Sequence, residues 1–307
     1  MTEQLSPATS KHYTLSRICR VWGLSRSSFY ERLKRVAGSV TRRGPRGAGS
    51  DEELISAIKT LLSAGGFVGE GYRKVWARLR FQGIKTAKER VRRLMKLAHL
   101  QAPRPEPRER GDRTHSGIIC TSKPDEMWGT DATSTLTEEG NATIFIMVDH
   151  CTRECLGLHA ARRGTRFEAL EVVRQAVHHS FGKFKQKIAD NQLALRHDHG
   201  SQFISDACQK ELKFLGIRPT PSFVAEPQCN GVAERFIRTL KEQLLWLKSF
   251  SSVAQLNEEL SAFKTLYNTT WLVAKHHYLT PSEARAQLTS SPHSSEPLSR
   301  TSCKRPN

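Results

Sequence analysis

The chain has 307 residues, 37% of them hydrophobic and 25% charged, and its 48 Lys+Arg against 30 Asp+Glu give a formal charge of +18. That length allows two or three domains, each with a real core. The longest apolar run, Ile144 to Val148, is far too short to cross a membrane, and so strong a positive charge points to a polyanionic partner, either nucleic acid or an acidic membrane surface.

The charge is uneven. Residues 1–115 hold 25 Lys+Arg and 10 Asp+Glu, whereas the remainder holds 23 against 20. A DNA-gripping front and a nearly neutral back part with carboxylates to spare are expected; the alternative is that the Arg-rich helices are only solvated faces. Seven cysteines form no framework and no signal-peptide pattern opens the chain, so reduced thiols in a cytoplasm-like compartment are expected. His150, Cys151 and Cys155 lack a second ligand pair at zinc spacing and read as strand and turn.

Leu15, Ile18, Cys19 and Trp22 recur at helical spacing, Gly23 breaks the pattern, and Ser25 can cap a second helix through Lys34. Residues 1–37 therefore read as a helix-turn-helix whose second helix offers Arg26, Ser27, Tyr30 and Arg32 to a groove or to phosphates; an ordinary helical hairpin is the other reading. Residues 38–50, rich in Gly, Ser and Arg, read as a flexible basic linker. A second helical, DNA-binding module spans 51–100. Its first helix carries an apolar stripe of Leu54, Ile55, Ile58 and Leu61, and its middle helix carries Val75 and Leu79. Thr86 and Glu89 have capping-box spacing for a last helix that presents Arg90, Arg92, Arg93 and Lys96, a face that could also be merely solvated. Residues 101–124 are a proline-rich connector.

Beyond the connector the pattern changes. Strands are expected at Met127–Thr133, Thr143–Asp149, Glu154–Ala160, Leu193–His197 and Ile217–Pro221. Helices are expected at Phe167–Phe181, Asp206–Leu215, Gly231–Leu247 and Val253–Tyr267. Three antiparallel strands followed by strand–helix alternation give an α/β fold, a mixed sheet covered by helices over 125–288, preceded by all-α modules. The Ser/Pro-rich tail, 289–307, reads as disordered.

Metal-assisted phosphoryl transfer needs carboxylates converging from separate elements. Asp131 sits within an apolar-flanked strand, where a carboxylate costs stability unless something pairs with it. Asp198 ends a strand just before Gly200, where Asp-x-Gly is also ordinary turn chemistry. Glu234 falls in the first turn of a helix opened by Asn230-Gly231, where a Glu often serves only the helix dipole. Asp131 precedes Asp198 by 67 positions, and 35 residues lie between Asp198 and Glu234. On that last helix Glu234, Arg238 and Lys241 share one face while Val232, Phe236, Leu240 and Leu244 form another; Arg238 and Lys241 read as DNA contacts or as a surface pair with a solvated lysine.

These segments resemble the integrase-like insertion-sequence transposases of the OrfB type, whose core is shared with retroviral integrases. The resemblance runs from about Tyr13 to Leu288. In the helical region it rests on Ile18-Cys-Arg-Val-Trp-Gly-Leu-Ser-Arg-Ser-Ser-Phe-Tyr30, Gly71-Tyr-Arg-Lys-Val75 and Arg90-Val-Arg-Arg-Leu-Met95. In the core it rests on Trp128-Gly-Thr-Asp131, Asp198-His-Gly-Ser-Gln-Phe203 and Asn230-Gly-Val-Ala-Glu-Arg-Phe236, with Tyr267-Asn268 and Thr280-Pro281 closing it. The chain departs from the pattern after Asn268 and between Ser222 and Asn230.

The resemblance implies an RNase H-like catalytic core with Asp131, Asp198 and Glu234 as catalytic, metal-binding triad, using Mg²⁺ or, in its place, Mn²⁺. It implies cleavage at element ends and joining of the 3′-OH to target DNA. The partners it implies are terminal inverted repeats and target DNA, a homo-multimer on paired ends and the product of an upstream reading frame, in the cytoplasm or nucleoid of a bacterium. Arg26, Tyr30, Arg32, Arg90, Arg93, Arg238 and Lys241 are the candidate DNA contacts. The competing expectations are a non-catalytic DNA-binding regulator derived from a transposase, and a nuclease that cleaves without joining.

Overall fold

The computed structural model describes residues 5–7, 9–36, 49–103, 121–182, 192–198, 200–221 and 230–290. Most of the expected linker, most of the connector and the tail beyond 290 lie outside these residues. The chain divides into two compact units, 1–47 and 48–307.

In the first unit, helix α1 (Leu15–Val21) and helix α2 (Arg26–Val36) flank a turn at Gly23, whose φ of +61° suits a residue without Cβ. Ser25 caps α2 as expected, its Oγ accepting the Ser28 N–H at 3.1 Å. Arg26 donates to Ser16 Oγ at 3.0 Å, and Cys19 is buried while Trp22, Tyr30 and Leu33 are exposed.

The second unit begins with three helices, α3 (Asp51–Ala64), α4 (Tyr72–Phe81) and α5 (Lys88–Leu97). The apolar stripes meet as expected: Leu54, Ile58, Leu61, Val75, Leu79, Val91, Leu94 and Met95 form one buried cluster. The capping box is not at Thr86 and Glu89. The N-cap of α5 is Ala87, with no side-chain cap. The box forms instead at Ser50 and Glu53, opening α3 beneath three acidic residues that suit its dipole.

This module shares its core with the sheet. Phe67 stacks edge-on against Trp271 with ring centroids 4.8 Å apart and belongs to the cluster under the sheet. The Gln243 amide accepts the Val68 N–H at 2.7 Å and donates to the Val68 carbonyl at 2.9 Å. Arg78 holds Glu70 at 2.7 Å and reaches the Thr270 carbonyl at 3.0 Å.

The sheet comprises β1 (Met127–Thr137), β2 (Gly140–Asp149), β3 (Cys155–Ala161), β4 (Ala194–His197) and β5 (Arg218–Pro221), in the order β3-β2-β1-β4-β5. β1, β2 and β3 pair antiparallel; β4 pairs parallel to β1, and β5 parallel to β4. This is the expected α/β mixed sheet. β2 is buried on both faces, which explains its unbroken apolar run: Phe145 and Met147 enter one cluster, Ile144, Ile146 and Val148 the other.

Helices α6 (Arg166–Phe181), α7 (Ser201–Ile204) and α8 (Asp206–Leu215) contribute to the first of these clusters; α9 (Gly231–Leu240) and α10 (Val253–Thr270) contribute to the second. The single helix expected over Gly231–Leu247 is corrected: α9 passes at Lys241 into a π turn, Lys241–Leu245, with Trp246 N–H reaching the Lys241 carbonyl at 3.0 Å. Beyond α10, helix α11 (Pro281–Ser290) docks through Arg285, whose guanidinium meets Asp125 at 2.6 Å and also pairs with Glu154.

Candidate active site

Alternation along β1 decides which way its side chains face. Trp128 and Ala132 pack into the α6-side cluster, so Gly129 and Asp131 lie on the opposite face, over which α9 runs. Asp131 is half-buried opposite Ile146 of β2, and its Oδ1 accepts the Ala132 N–H at 2.8 Å. On the other side β4 runs parallel to β1, with Met127 beside Ala194, Trp128 beside Leu195 and Gly129 beside Arg196. Each pair is 67 positions apart, the separation of Asp131 from Asp198. The two carboxylates therefore each follow the last paired position, Gly129 with Arg196, by two residues.

Asp198 is half-buried where β4 ends, and its Oδ1 accepts the Gly200 N–H at 3.1 Å. The turn chemistry weighed for it is thus present alongside its place next to Asp131. His197 Nδ1 donates to the Asp198 carbonyl at 2.6 Å. Glu234 lies in the first turn of α9, exposed, with burial still raising its carboxyl above the usual range.

Electrostatics show that these groups feel one another. Burial pushes the Asp131 carboxyl up to about 6, and the negative charges of Asp198 and Glu234 add to the rise. The Ala132 N–H and the Lys241 ammonium oppose it. The charges of Asp198, Glu234 and Lys241 thus all act on Asp131, near the middle of β1. They do not form a closed cage: among the described residues no group of three or more His, Cys, Asp or Glu side chains is arranged to hold a metal ion. That covers His150, Cys151 and Cys155, all buried.

The other candidate DNA contacts are differently engaged. Arg238 pairs with Glu242 one turn along, at 2.7 Å, rather than with Glu234. Arg90 and Arg93 both grip Asp51, at 2.7 and 2.9 Å, and Arg90 also reaches the Gly49 carbonyl at 3.0 Å. These arginines fasten α5 to the start of α3. Arg26, Tyr30 and Arg32 are exposed on α2.

One residue beside the site escaped sequence reasoning. Asn230 stands where a cap for α9 is expected, yet its side chain caps nothing; its Nδ2 donates to the Thr130 carbonyl at 2.9 Å. The Asn-Gly pair signalled a helix start, but no local pattern signals a contact 100 residues away.

Residues 121–227 match the integrase core domain family, residues 215–281 match a further integrase core domain description, and residues 50–108 match an HTH-like domain. The transposase InsD for insertion element IS2A/D/F/H/I/K of Escherichia coli is 27% identical over 267 residues, covering 81% of this chain and 84% of that protein. The insertion element IS2A uncharacterized 48.2 kDa protein of Escherichia coli is 25% identical over 268 residues, 85% of this chain but 60% of that protein, so the chain spans less than two thirds of that relative. Among solved structures, a chain of the simian T-cell lymphotropic virus intasome in complex with PP2A regulatory subunit B56 gamma has a TM-score of 0.47 at 21% identity, covering 84% of this chain and 80% of that one. The HTLV-2 integrase catalytic core domain in complex with magnesium has a TM-score of 0.40 at 17% identity, covering 53% and 97%. No helix among the described residues is long and apolar enough to cross a membrane. With a five-stranded mixed sheet following its helical module, the chain is similar to integrase core domains over residues 121–227 and 215–281, to an HTH-like domain over residues 50–108, and to the InsD transposases of IS2.

Proposed function

We propose that this chain is a transposase that cleaves element-end DNA and joins the freed 3′-OH to target DNA, with Asp131, Asp198 and Glu234 as its metal-binding catalytic triad. What supports this reading is the placement of Asp131 on the face of β1 over which α9 runs, with Asp198 at the end of the neighbouring β4 and Glu234 in the first turn of α9; the charges of Asp198 and Glu234 also act to raise the Asp131 carboxyl. Carboxylate oxygens are the donors that Mg²⁺ or Mn²⁺ takes, and such an ion keeps water and substrate phosphate in its remaining positions. When bound, the metal supplies Lewis-acid polarisation of the scissile phosphate and eases ionisation of the attacking oxygen.

The chain's own residues hold and steer. The Ala132 N–H fixes one Asp131 oxygen and the Gly200 N–H fixes one of Asp198. Lys241 places a cation beside the carboxylates, where an incoming phosphate would otherwise meet only negative charge. In the first step the oxygen of water bonds to phosphorus as the bond to the 3′ oxygen breaks, and that oxygen leaves with a proton as 3′-OH. In the second step the 3′-OH replaces water, loses its proton, bonds to a target phosphorus and displaces the target strand's 3′ oxygen. One site serves both steps because only the attacking group changes. The helical parts of the chain grip inverted repeats, and two ends acting together call for more than one copy.

The test is incubation of the full chain with labelled element-end DNA, target DNA and Mg²⁺ or Mn²⁺. Joined products support the transposase reading. Cleavage without joining identifies a nuclease of the same fold, and binding without products identifies a DNA-binding regulator.

A further inference from the structure

A catalytic pair drawn from a strand and a helix works only if the helix is held at one height over the strand. Glu234 rides on the first turn of α9, and Asp131 is built into β1. A side-chain hydrogen bond joins the start of α9 to this stretch of β1: Asn230 Nδ2 donates to the carbonyl of Thr130, the residue before Asp131, at 2.9 Å. Asn230 is one helical turn before Glu234 and only 5% exposed. We propose that Asn230 is a positioning residue that sets the separation of Glu234 from Asp131.

The surroundings are shaped for this amide. A Cβ placed on Gly129 would lie 3.1 Å from Asn230 Oδ1 and 2.9 Å from His150 Nε2, so glycine here is what lets α9 come down onto the strand. The Trp128-Gly-Thr-Asp131 segment thus contains a clearance residue and an anchor carbonyl directly before its carboxylate. His150, 3% exposed, lies against the same glycine, and neither its Nε2 nor Asn230 Oδ1 has a hydrogen-bond partner among the described residues. The helix gains no cap from Asn230, whose side chain is committed to the strand instead.

This inference rests on the catalytic reading of Asp131 and Glu234, and its test separates the two. Asn230→Ala and Asn230→Ser are made in the full chain; serine keeps a good helix-start residue and protects folding. We expect kcat for joining to fall about 100-fold with KM for DNA unchanged, as for a small misplacement of a reacting group. Mn²⁺ affinity of the DNA-free protein, read by electron paramagnetic resonance, falls roughly tenfold or more. Amides of the first turn of α9 in the metal-free Ala variant exchange roughly tenfold faster. Normal kcat and Mn²⁺ affinity in a folded Asn230→Ser protein would overturn the proposal. Failure of both variants to fold would also overturn it, because the amide would then be a general folding element. Asp131→Asn is assayed alongside: full activity there sinks the catalytic reading, whereas an inactive Asp131→Asn beside a normal Asn230→Ser sinks only the positioning role.

Discussion

Asp131 and Asp198 each lie two residues beyond Gly129 and Arg196, the last pair that joins the parallel strands β1 and β4. Burial, with the charges of Asp198 and Glu234 adding to it, pushes the Asp131 carboxyl up to about 6 from its ordinary 3.8, a cost when no cation is bound. The sign follows from proton counts: the unfolded chain loses this proton first, so stability falls as pH rises from about 4 to about 6 and stays lower above that. Metal-free Asp131→Asn should therefore be more stable than the parent at pH 7.5, on the order of 2 kcal/mol or roughly 5 °C in Tm. Thermal unfolding with chelator present checks it, and the gap should close below about pH 4.

The candidate DNA contacts should separate by salt dependence. Lys241 faces the carboxylate site, while Arg238 is engaged by Glu242 and Arg90 by Asp51. Lys241→Ala should weaken DNA binding and reduce the log–log salt slope by about 0.9, the share of one phosphate contact. Arg90→Ala should leave that slope unchanged and lower Tm instead, since it releases the start of α3. Binding isotherms at a series of salt concentrations distinguish the two.

Lys74 should give the fold a pH-dependent stability. Its Nζ is sealed over the Trp271 ring, 2.8 Å from the centroid, with no hydrogen-bond partner among the described residues. Burial lowers it to about 7, helped by Arg78 and Arg235 and opposed by Glu70. The folded pKa lies below the unfolded one, so the unfolded chain holds the extra proton and stability rises between about pH 7 and 10.4. Lys74→Met, which keeps the contact with Trp271, should flatten that rise and be the more stable protein at pH 7. Urea unfolding of both proteins across that range measures the difference.

Arg285 should be a large single contributor to the stability of the second unit. It pairs with Asp125 at 2.6 Å and with Glu154, whose side chain is 3% exposed and also meets His179 at 3.3 Å. Burial alone would raise the Glu154 carboxyl, but His179 and Arg285 outweigh it and hold it below the usual range. Arg285→Met leaves that carboxylate buried without its main partner, at a cost of about 3–5 kcal/mol. The double change Arg285→Met with Glu154→Gln should recover part of the loss in urea midpoint.

What could be read from sequence follows from the range of each signal. β2 announced itself through an apolar run because both of its faces are covered, and α9 through the stripe of Phe236, Leu240 and Leu244. The spacing of Asp131 and Asp198 was visible as a number, but only the β1–β4 pairing shows that this number is a strand register. The π turn at Lys241 was invisible because its residues continue a good helical pattern. α11 was missed because its anchor, Arg285, finds Asp125 and Glu154 from far along the chain. The Arg90 and Arg93 pairs with Asp51 likewise turn an apparently free basic face into part of a clamp.

The measurement that bears most directly on the whole account is strand joining by the full chain with Mg²⁺, compared with Asp131→Asn, Asp198→Asn and Glu234→Gln. Each variant should still bind element-end DNA with nearly unchanged affinity. Each should lose joining by roughly 1000-fold, the equivalent of about 4 kcal/mol of transition-state charge stabilisation. Joined products at the parent rate from any of the three would contradict the triad proposed here.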